Sequence, residues 1–197
     1  MAYRYCTMDI AIGVPIEFKR EIEIVLETPR LYIRELSVND LMELYAICSD
    51  EVLMQFVGDG KPLSIEQVRE WLSVTENNYK TKGFGNYAVV NKSDNEMIGY
   101  CGLVYSKNID KIELIYALKK QYWNLGLATE AGAKMIEFGL DRIKLDEIYA
   151  SIDPENKASE NILGKLGFSF AFGQNDEFGY STHYYRITAK QLPADSR

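Results

Sequence analysis

Residues 121–131, QYWNLGLATEA, place small residues where a predicted strand gives way to a predicted helix. The first turn of a helix presents unpaired backbone N–H groups and the positive end of the helix dipole, so it attracts anions. Because Gly126 has no side chain and Ala128 only a methyl group, a phosphate can approach the amides from Leu125 to Thr129. The alternative is an ordinary tight turn. The segment is neither a Walker motif nor a Gly-x-Gly-x-x-Gly turn.

A second candidate segment, NKASENILGKLGF, begins at Asn156. Asn156 follows Asp-Pro and precedes a helical pattern, so it is suited to capping a helix that begins near Lys157. Contact with a ligand is the alternative for the same side chain, and both roles are compatible. Gly167 and Phe168 are interpreted as a helix stop and a core aromatic, without chemistry.

The spacing of apolar residues predicts the elements that position these segments. Period-3.6 patterns with capping residues indicate helices, and alternating apolar residues bounded by turn-prone residues indicate strands. The helices are predicted in SVNDLMELYAICSD, PLSIEQVREWL with a Ser64–Gln67 capping box, Leu127 to Arg142, and NKASENILGKL. The strands are predicted in REIEIVLE, RLYIREL, NYAVVNK, EMIGYCGLVYS, KIELIYALKK, DEIYASID, FSFAFG and YSTHYYRIT. In REIEIVLE, alternation would place Ile22, Ile24 and Leu26 on one face of an accessory hairpin or edge strand. This pattern predicts an α+β fold with a mixed, mainly antiparallel sheet.

Composition narrows the classes of function. A net charge of -7 disfavours binding to nucleic-acid phosphates and suits a cationic or amine-bearing partner. Three scattered cysteines, Cys6, Cys48 and Cys101, indicate buried or idle thiols, and the single histidine, His183, is interpreted as strand packing, so no metal site is predicted. No signal peptide or membrane span is recognisable, which predicts a cytoplasmic protein without membrane contact.

Two spaced motifs resemble the GCN5-related N-acetyltransferase (GNAT) superfamily, in its RimJ/RimL-like branch of enzymes that act on ribosomal-protein N-termini. The first motif is WNLGLATEA, from Trp123 to Ala131, and the second runs from Asn156 through Ser159 to Phe168. TPRLYIREL and IELIYAL also match that branch. The similarity covers residues 27–190, which we predict to be the N-acetyltransferase domain, preceded by an N-terminal extension, residues 1–26, with accessory strands and followed by a tail, residues 191–197.

The resemblance implies that acetyl-coenzyme A is the co-substrate and lies in a cleft between two splayed central strands. Its pyrophosphate would meet the amides of the first motif, its pantetheine would run beside ALKK, and its far side would meet the second motif. The residues predicted to bind it are Ala117, Leu118, Leu125, Gly126, Leu127, Ala128, Thr129, Asn156 and Ser159. Asn124 stands where the branch usually has glycine, but asparagine tolerates left-handed backbone conformations.

Acetyl transfer from a thioester to an amine needs a proton acceptor, a polarised carbonyl group and a proton donor for the thiolate. Glu113 is the candidate base, because it lies on the strand that leads to the coenzyme loop and the branch has an acid there. The alternative is a solvated strand residue. A backbone N–H near Ala117 or Leu118 would polarise the carbonyl. The family's usual tyrosine acid is replaced by Leu163, so Ser159, then Tyr116, are the candidate proton donors.

The predicted function is transfer of an acetyl group from acetyl-coenzyme A to a primary amine, on a protein N-terminus or a small molecule. The alternative is a catalytically weak acyl-coenzyme A binding or sensor module, suggested by Leu163 and Asn124. The segment CSDEVLMQFVGDGKPL, which contains Phe56, corresponds to part of the acceptor wall in the family. The sequence leaves a homodimer open.

Overall fold

The computed structural model describes residues 23–175 and 179–191, and the elements in this part of the chain follow the predicted order. The strands are β1 (Ile24–Glu27), β2 (Leu31–Glu35), β3 (Asn86–Asn91), β4 (Met97–Ser106), β5 (Lys111–Leu118), β6 (Glu147–Ile152), β7 (Ser169–Asn175) and β8 (Ser181–Thr188). The α-helices are α1 (Leu41–Cys48), α2 (Glu51–Met54), α3 (Ile65–Lys82), α4 (Leu127–Glu137) and α5 (Lys157–Lys165). Short 3₁₀ turns occupy Val38–Asp40, Lys120–Tyr122 and Ala189–Gln191.

The strands form one sheet in the order β1-β2-β3-β4-β5-β6-β8-β7. Within the described residues, β5 and β6 are the one parallel pair, and every other neighbouring pair is antiparallel. The predicted α+β fold with a mixed, mainly antiparallel sheet is confirmed. The helices lie on both faces of this sheet, so each face buries its own apolar cluster.

The two apolar clusters separate the helices into two groups. One face of the sheet packs against α4 and α5, with Met135, Ile136 and Leu163 among its buried residues. The other face packs against α1 and most of α3, with Leu44 and Val68 in its core. β5 contributes to both clusters, so the two sides of this strand lie in different surroundings.

Capping residues fix the helix ends as predicted. Ser64 accepts from the Gln67 amide while the Gln67 side chain accepts from the Ser64 amide, which is the predicted capping box at the start of α3. The predicted helix from Leu127 to Arg142 is α-helical to Glu137 and closes with a π turn, in which the Ile143 amide donates to the Phe138 carbonyl at 3.0 Å. The four-residue helix α2 was not predicted.

The predicted edge strand near the N-terminus is present as β1, but one detail of it is wrong. Ile24 and Leu26 were expected to share a face, and a register shift in the pairing with β2 separates them. Leu26 is therefore buried while Ile24 is 52% exposed. Ile22, the third residue of that predicted face, lies outside the described residues, as do the rest of residues 1–22 and the tail from residue 192. In the described residues, we find no helix that could span a membrane.

Candidate active site

A gap opens in the sheet where β5 and β6 separate. β5 pairs with β4 from Lys111 to Leu118, whereas within the described strands its ladder with β6 contains a single register pair, Glu113 and Tyr149. An ion pair of 2.9 Å between Lys111 and Glu147 joins the first residues of the two strands. Because the strands are parallel, both continue past Glu113 in the same direction, and in the described strands no further register pair joins them. The second half of β5 therefore borders a gap, where the sequence predicted a cleft.

Two backbone amides of β5 face this gap. The amide of Lys119 donates to the Ile98 carbonyl of β4 at 2.8 Å. Since successive N–H groups of a strand point to opposite sides, the Ala117 amide also faces β4, whereas the amides of Tyr116 and Leu118 face β6. The sequence left Ala117 and Leu118 as alternatives for polarising a carbonyl group. The direction of the backbone favours Leu118 and corrects the prediction for the Ala117 amide.

The loop between β5 and α4 contains two residues in the left-handed conformation, Asn124 with φ of 60° and Gly126 with φ of 75°. Asparagine tolerates this conformation better than most residues, so Asn124 preserves the turn. Glu130 donates the first helical backbone bond, to the Gly126 carbonyl at 3.0 Å. The amides of Leu127, Ala128 and Thr129 therefore precede the helical ladder and point out of the helix end. The helix start is bare, as predicted, and phosphate binding there stays a prediction.

Two side chains hold this loop by its carbonyl groups. Trp123 Nε1 donates to the Leu118 carbonyl at 2.7 Å, and Arg30 Nη1 donates to the Leu125 carbonyl at 2.8 Å. Arg30 Nη2 also lies 2.6 Å from Glu130 Oε2 in the first turn of α4. Sequence reasoning missed these roles, although TPRL and ATEA, which contain Arg30 and Glu130, were both recognised as matching segments.

Glu113 places a carboxyl group on one face of the gap, where its side chain is buried. The residue is 7% exposed, and its Oε2 accepts a hydrogen bond of 3.2 Å from Ser151 Oγ. Its Oε1 has no hydrogen-bond partner among the described residues. Burial raises the pKa of the Glu113 carboxyl, and hydrogen bonds from Ser151 and Ser106 offset only part of that shift. A poorly solvated carboxylate is a stronger base, which is the property a proton acceptor requires.

Tyr116 lies on the other face of β5, because side chains three residues apart in a strand point to opposite faces. Its ring packs against the apolar cluster beneath α4 and α5. The Tyr116 hydroxyl is buried without a hydrogen-bond partner among the described residues, and burial raises its pKa to about 12. Ser159 lies near this hydroxyl and opposes the shift, although the two groups do not meet hydrogen-bond geometry. Leu163, which replaces the family's usual tyrosine, is fully buried in the core.

Asn156 caps α5, as one of its two predicted roles required. Its Oδ1 accepts a hydrogen bond of 3.0 Å from the Ser159 amide. The two polar residues of the second motif are therefore joined at the start of α5, on the same face of the sheet as Tyr116. Contact of Asn156 and Ser159 with a coenzyme stays a prediction.

A cavity of about 200 Å³ lies on the side of the sheet occupied by Glu113. It is lined by the loop after α2, the end of β6 and the start of β8, including Phe56, Asp59, Ser151 and Asp153. Ser151 links this cavity to Glu113 through their hydrogen bond. The two aspartates make its wall acidic, although Lys61 pairs with Asp59 at 2.9 Å. An amine that entered the cavity would approach the buried carboxyl group.

The matching family model is that of the acetyltransferase (GNAT) domain, which covers residues 30–169. The chain belongs to the GNAT family. Acetyl-coenzyme A as donor and an amine as acceptor are general to this family, and the chain is accordingly an acyltransferase of the N-acetyltransferase type.

Individual relatives agree with this assignment. The uncharacterized N-acetyltransferase p20 of Bacillus licheniformis is 28% identical over 145 residues, which cover 73% of this chain and 81% of that protein. A GNAT acetyltransferase structure from Bacillus anthracis has a TM-score of 0.70 at 22% identity, covering 83% of this chain and 98% of the other. The RimL ribosomal-protein acetyltransferase in complex with coenzyme A has a TM-score of 0.73 at 16% identity, covering 86% of this chain and 100% of the other. At these identities the two structures show the shared fold.

The cysteines and the single histidine are the remaining residues whose side chains could carry chemistry, and those that the structure describes pack against neighbouring residues. Cys48 and Cys101 are free thiols, and both are buried, as one of the two predicted alternatives required. Burial raises the pKa of each thiol to about 12. Cys6 lies outside the described residues. His183 is half-buried in β8, with its ring edge-on to Phe170 at 5.3 Å, which confirms its interpretation as a packing residue. Across residues 23–175 and 179–191, no three or more His, Cys, Asp or Glu residues are gathered as metal ligands.

Proposed function

We propose that the chain transfers an acetyl group from acetyl-coenzyme A to a primary amine by direct attack, with Glu113 as proton acceptor. The observation that carries this proposal is the gap beside β5, which has a buried carboxyl group on one face and a buried tyrosine hydroxyl on the other. The two groups have the properties of a base and an acid. Strand β5, which borders the gap, lies between the carboxyl group and the hydroxyl.

The chain's own groups fit the parts of acetyl-coenzyme A. The amides of Leu127, Ala128 and Thr129 suit the diphosphate, because they lie at a helix start where Gly126 leaves the approach open. The Leu118 amide, which faces the gap, suits the thioester carbonyl oxygen. The complex of the RimL enzyme with coenzyme A, which shares this fold, supports a coenzyme site in such a chain.

The proposed reaction needs no covalent intermediate on the protein. The neutral amine nitrogen attacks the carbonyl carbon, a C–N bond forms, and the C–S bond breaks. Glu113 accepts the proton that the nitrogen loses, directly or through a water molecule. Tyr116 donates a proton to the departing sulfur, since a hydroxyl with a pKa of about 12 is protonated at neutral pH. Proton exchange with solvent then restores both groups.

The acceptor is proposed to be a primary amine on a small cation or a protein N-terminus, bound in the acidic cavity that holds Asp59 and Asp153. Its limited volume of about 200 Å³ suits one aminoalkyl arm or a single N-terminal residue. The likeness to the RimL ribosomal-protein acetyltransferase supports a protein N-terminus as the acceptor.

The test of this function is incubation of the protein with acetyl-coenzyme A and a panel of N-terminal peptides, polyamines and aminoglycosides, followed by mass spectrometry. We expect a single acetyl group on a primary amine, with free coenzyme A formed in equal amount. Tight coenzyme binding without acetylation of any acceptor would support the sensor alternative, which the buried Leu163 at the usual proton-donor position motivates.

Tyr116→Phe should lower turnover by about 10² while leaving affinity for acetyl-coenzyme A near the wild-type value, because a general acid contributes about that factor. Steady-state kinetics with a saturating acceptor measures the change. Tyr185→Phe is the matched control, since Tyr185 is buried on the same face and its hydroxyl bonds to Glu160 of α5 at 2.9 Å. Full activity of Tyr116→Phe would remove Tyr116 from the mechanism, and Ser159→Ala would then test the other candidate donor.

A further inference from the structure

Arg30 and Glu130 join the beginning of β2 to the first turn of α4. The Arg30 amide donates to Glu130 Oε1 at 3.0 Å, and its Nε donates to Glu130 Oε2 at 2.6 Å. Thr28 Oγ1 donates to the same Glu130 Oε1 at 2.6 Å. Burial of Glu130 alone would raise its pKa, but the hydrogen bonds from Thr28 and Arg30 outweigh burial and lower it. The carboxylate is therefore ionised at neutral pH and holds the guanidinium in a fixed place.

The third nitrogen of the Arg30 guanidinium, Nη1, fixes the orientation of the Leu125–Gly126 peptide plane. Arg30 Nη1 donates to the Leu125 carbonyl at 2.8 Å. In a trans peptide the carbonyl group and the following N–H point in opposite directions. The bond to Leu125 therefore turns the Gly126 amide away from Arg30. In the proposed function, this is the side from which the diphosphate approaches.

The Leu125–Gly126 peptide plane needs a contact such as the bond from Arg30 to keep its orientation, because it precedes a glycine. Gly126 is left-handed, and because glycine has no Cβ, the peptide plane that precedes it rotates with little steric resistance. If the Leu125–Gly126 plane rotated, its carbonyl oxygen would face the anion instead of the N–H. Space around Gly126 is otherwise open, because a Cβ there would meet only Arg30 Nη2, at 3.5 Å.

We propose that Arg30, held by Glu130, is a positioning residue that fixes the Leu125–Gly126 peptide for binding of the coenzyme diphosphate. This inference rests on the proposed function, because the diphosphate is the ligand whose binding the loop serves. The role does not require contact between Arg30 and the ligand, since Glu130 already neutralises its charge at 2.6 Å.

The test compares two acetyl donors with wild-type protein and Arg30→Met. Acetyl-coenzyme A carries the diphosphate, whereas S-acetylpantetheine carries the same thioester without it. We expect Arg30→Met to raise the Kd of acetyl-coenzyme A about tenfold, which corresponds to about one charge-assisted hydrogen bond. The kcat/KM with S-acetylpantetheine should stay within about twofold of wild type, because a loop that does not meet a diphosphate contributes little to that donor. A purely structural role would lower the use of both donors equally.

Arg186→Met is the matched control. The side chain of Arg186, on β8, is 49% exposed, like that of Arg30, and it pairs with Glu147 of β6 at 3.5 Å. It should leave the Kd of acetyl-coenzyme A unchanged. An equal loss of affinity in both variants would overturn the inference, and so would an unchanged Kd in Arg30→Met.

Glu130→Gln separates positioning from direct contact by the sign of its effect. If Arg30 acts by holding the peptide, loss of the Glu130 charge loosens the guanidinium and weakens binding of acetyl-coenzyme A. The double variant with Arg30→Met should then be no weaker than Arg30→Met alone. Tighter binding in Glu130→Gln would mean that a released guanidinium contacts the phosphates directly, which would overturn the positioning role.

The proposed function fails in a different way. If wild-type protein showed no preference for acetyl-coenzyme A over S-acetylpantetheine, the diphosphate site itself would be wrong. If that preference existed and Arg30→Met retained it, only the role of Arg30 would be wrong. Thermal unfolding of each variant checks that the start of β2 is still folded.

Discussion

Gly126→Glu is expected to abolish measurable binding of coenzyme A. The new carboxylate would stand at the helix start where the diphosphate is proposed to bind, so like charges would repel in a site that favours anions. It would also compete for Arg30, whose Nη2 lies 3.5 Å from the position of the new Cβ. We expect affinity to fall by at least about 10³, as for several kcal/mol of lost interaction. Isothermal titration calorimetry measures the loss.

Gly83→Glu is the matched control for backbone strain. Gly83 ends α3 with φ of 77°, close to the 75° of Gly126, and a Cβ at either position meets no close backbone. Both variants should therefore lose about 1–2 kcal/mol of folding stability from the left-handed conformation. Only Gly126→Glu should lose coenzyme affinity. Unchanged binding in a folded Gly126→Glu protein would contradict the placement of the diphosphate.

Glu113→Gln should lower kcat by about 10² to 10⁴, the range of a general base, while the affinity for acetyl-coenzyme A stays near wild type. Glutamine keeps the size and the hydrogen-bonding oxygen of the side chain but cannot accept the proton of the amine. Single-turnover measurements with saturating coenzyme and acceptor isolate the chemical step. Full activity at neutral pH would exclude Glu113 as the base.

The stability of the same variant distinguishes lost chemistry from lost folding. Burial raises the pKa of Glu113 above its ordinary value of 4.5, so the folded state releases this proton less readily than the unfolded state. The contribution of Glu113 to stability therefore falls as pH rises from about 4.5 through its folded pKa. The melting temperature of Glu113→Gln relative to wild type should be higher at pH 8 than at pH 5. A difference in melting temperature at pH 8 that is equal to or smaller than the difference at pH 5 would contradict the assigned burial cost.

Local sequence signals predicted most of the fold because its elements carry their own start and stop residues. Ser64 and Gln67 cap α3, and Asn156 caps α5, through contacts between residues three apart. The helix α2 escaped prediction because four residues are too few to show a helical period. The prediction of a common face for Ile24 and Leu26 is wrong because the pairing of β1 with β2 contains a register shift. The sequence of β1 alone does not encode that shift.

The candidate site was predictable only in part, for a similar reason. Gly126 and Ala128 stood out because small residues at a helix start have a local meaning. The contacts of Arg30 with Glu130 join residues 100 positions apart, so the local sequence around either residue does not predict them. The pattern of β5 also could not tell which amides face the gap, because this strand is packed on both faces and lacks clean alternation.

The single register pair between β5 and β6 gives the sheet two internal edges. Sheet edges normally lie at the rim of a protein, where unpaired N–H and C=O groups attract any extended chain. Here the edges lie side by side in the middle of the sheet. At the end of the β5 edge, Trp123 Nε1 donates a hydrogen bond to the Leu118 carbonyl. If the proposed function holds, the pantetheine arm, which carries amide groups, would pair there as a short additional strand. The incomplete sheet would then recognise the arm by the shape of its backbone.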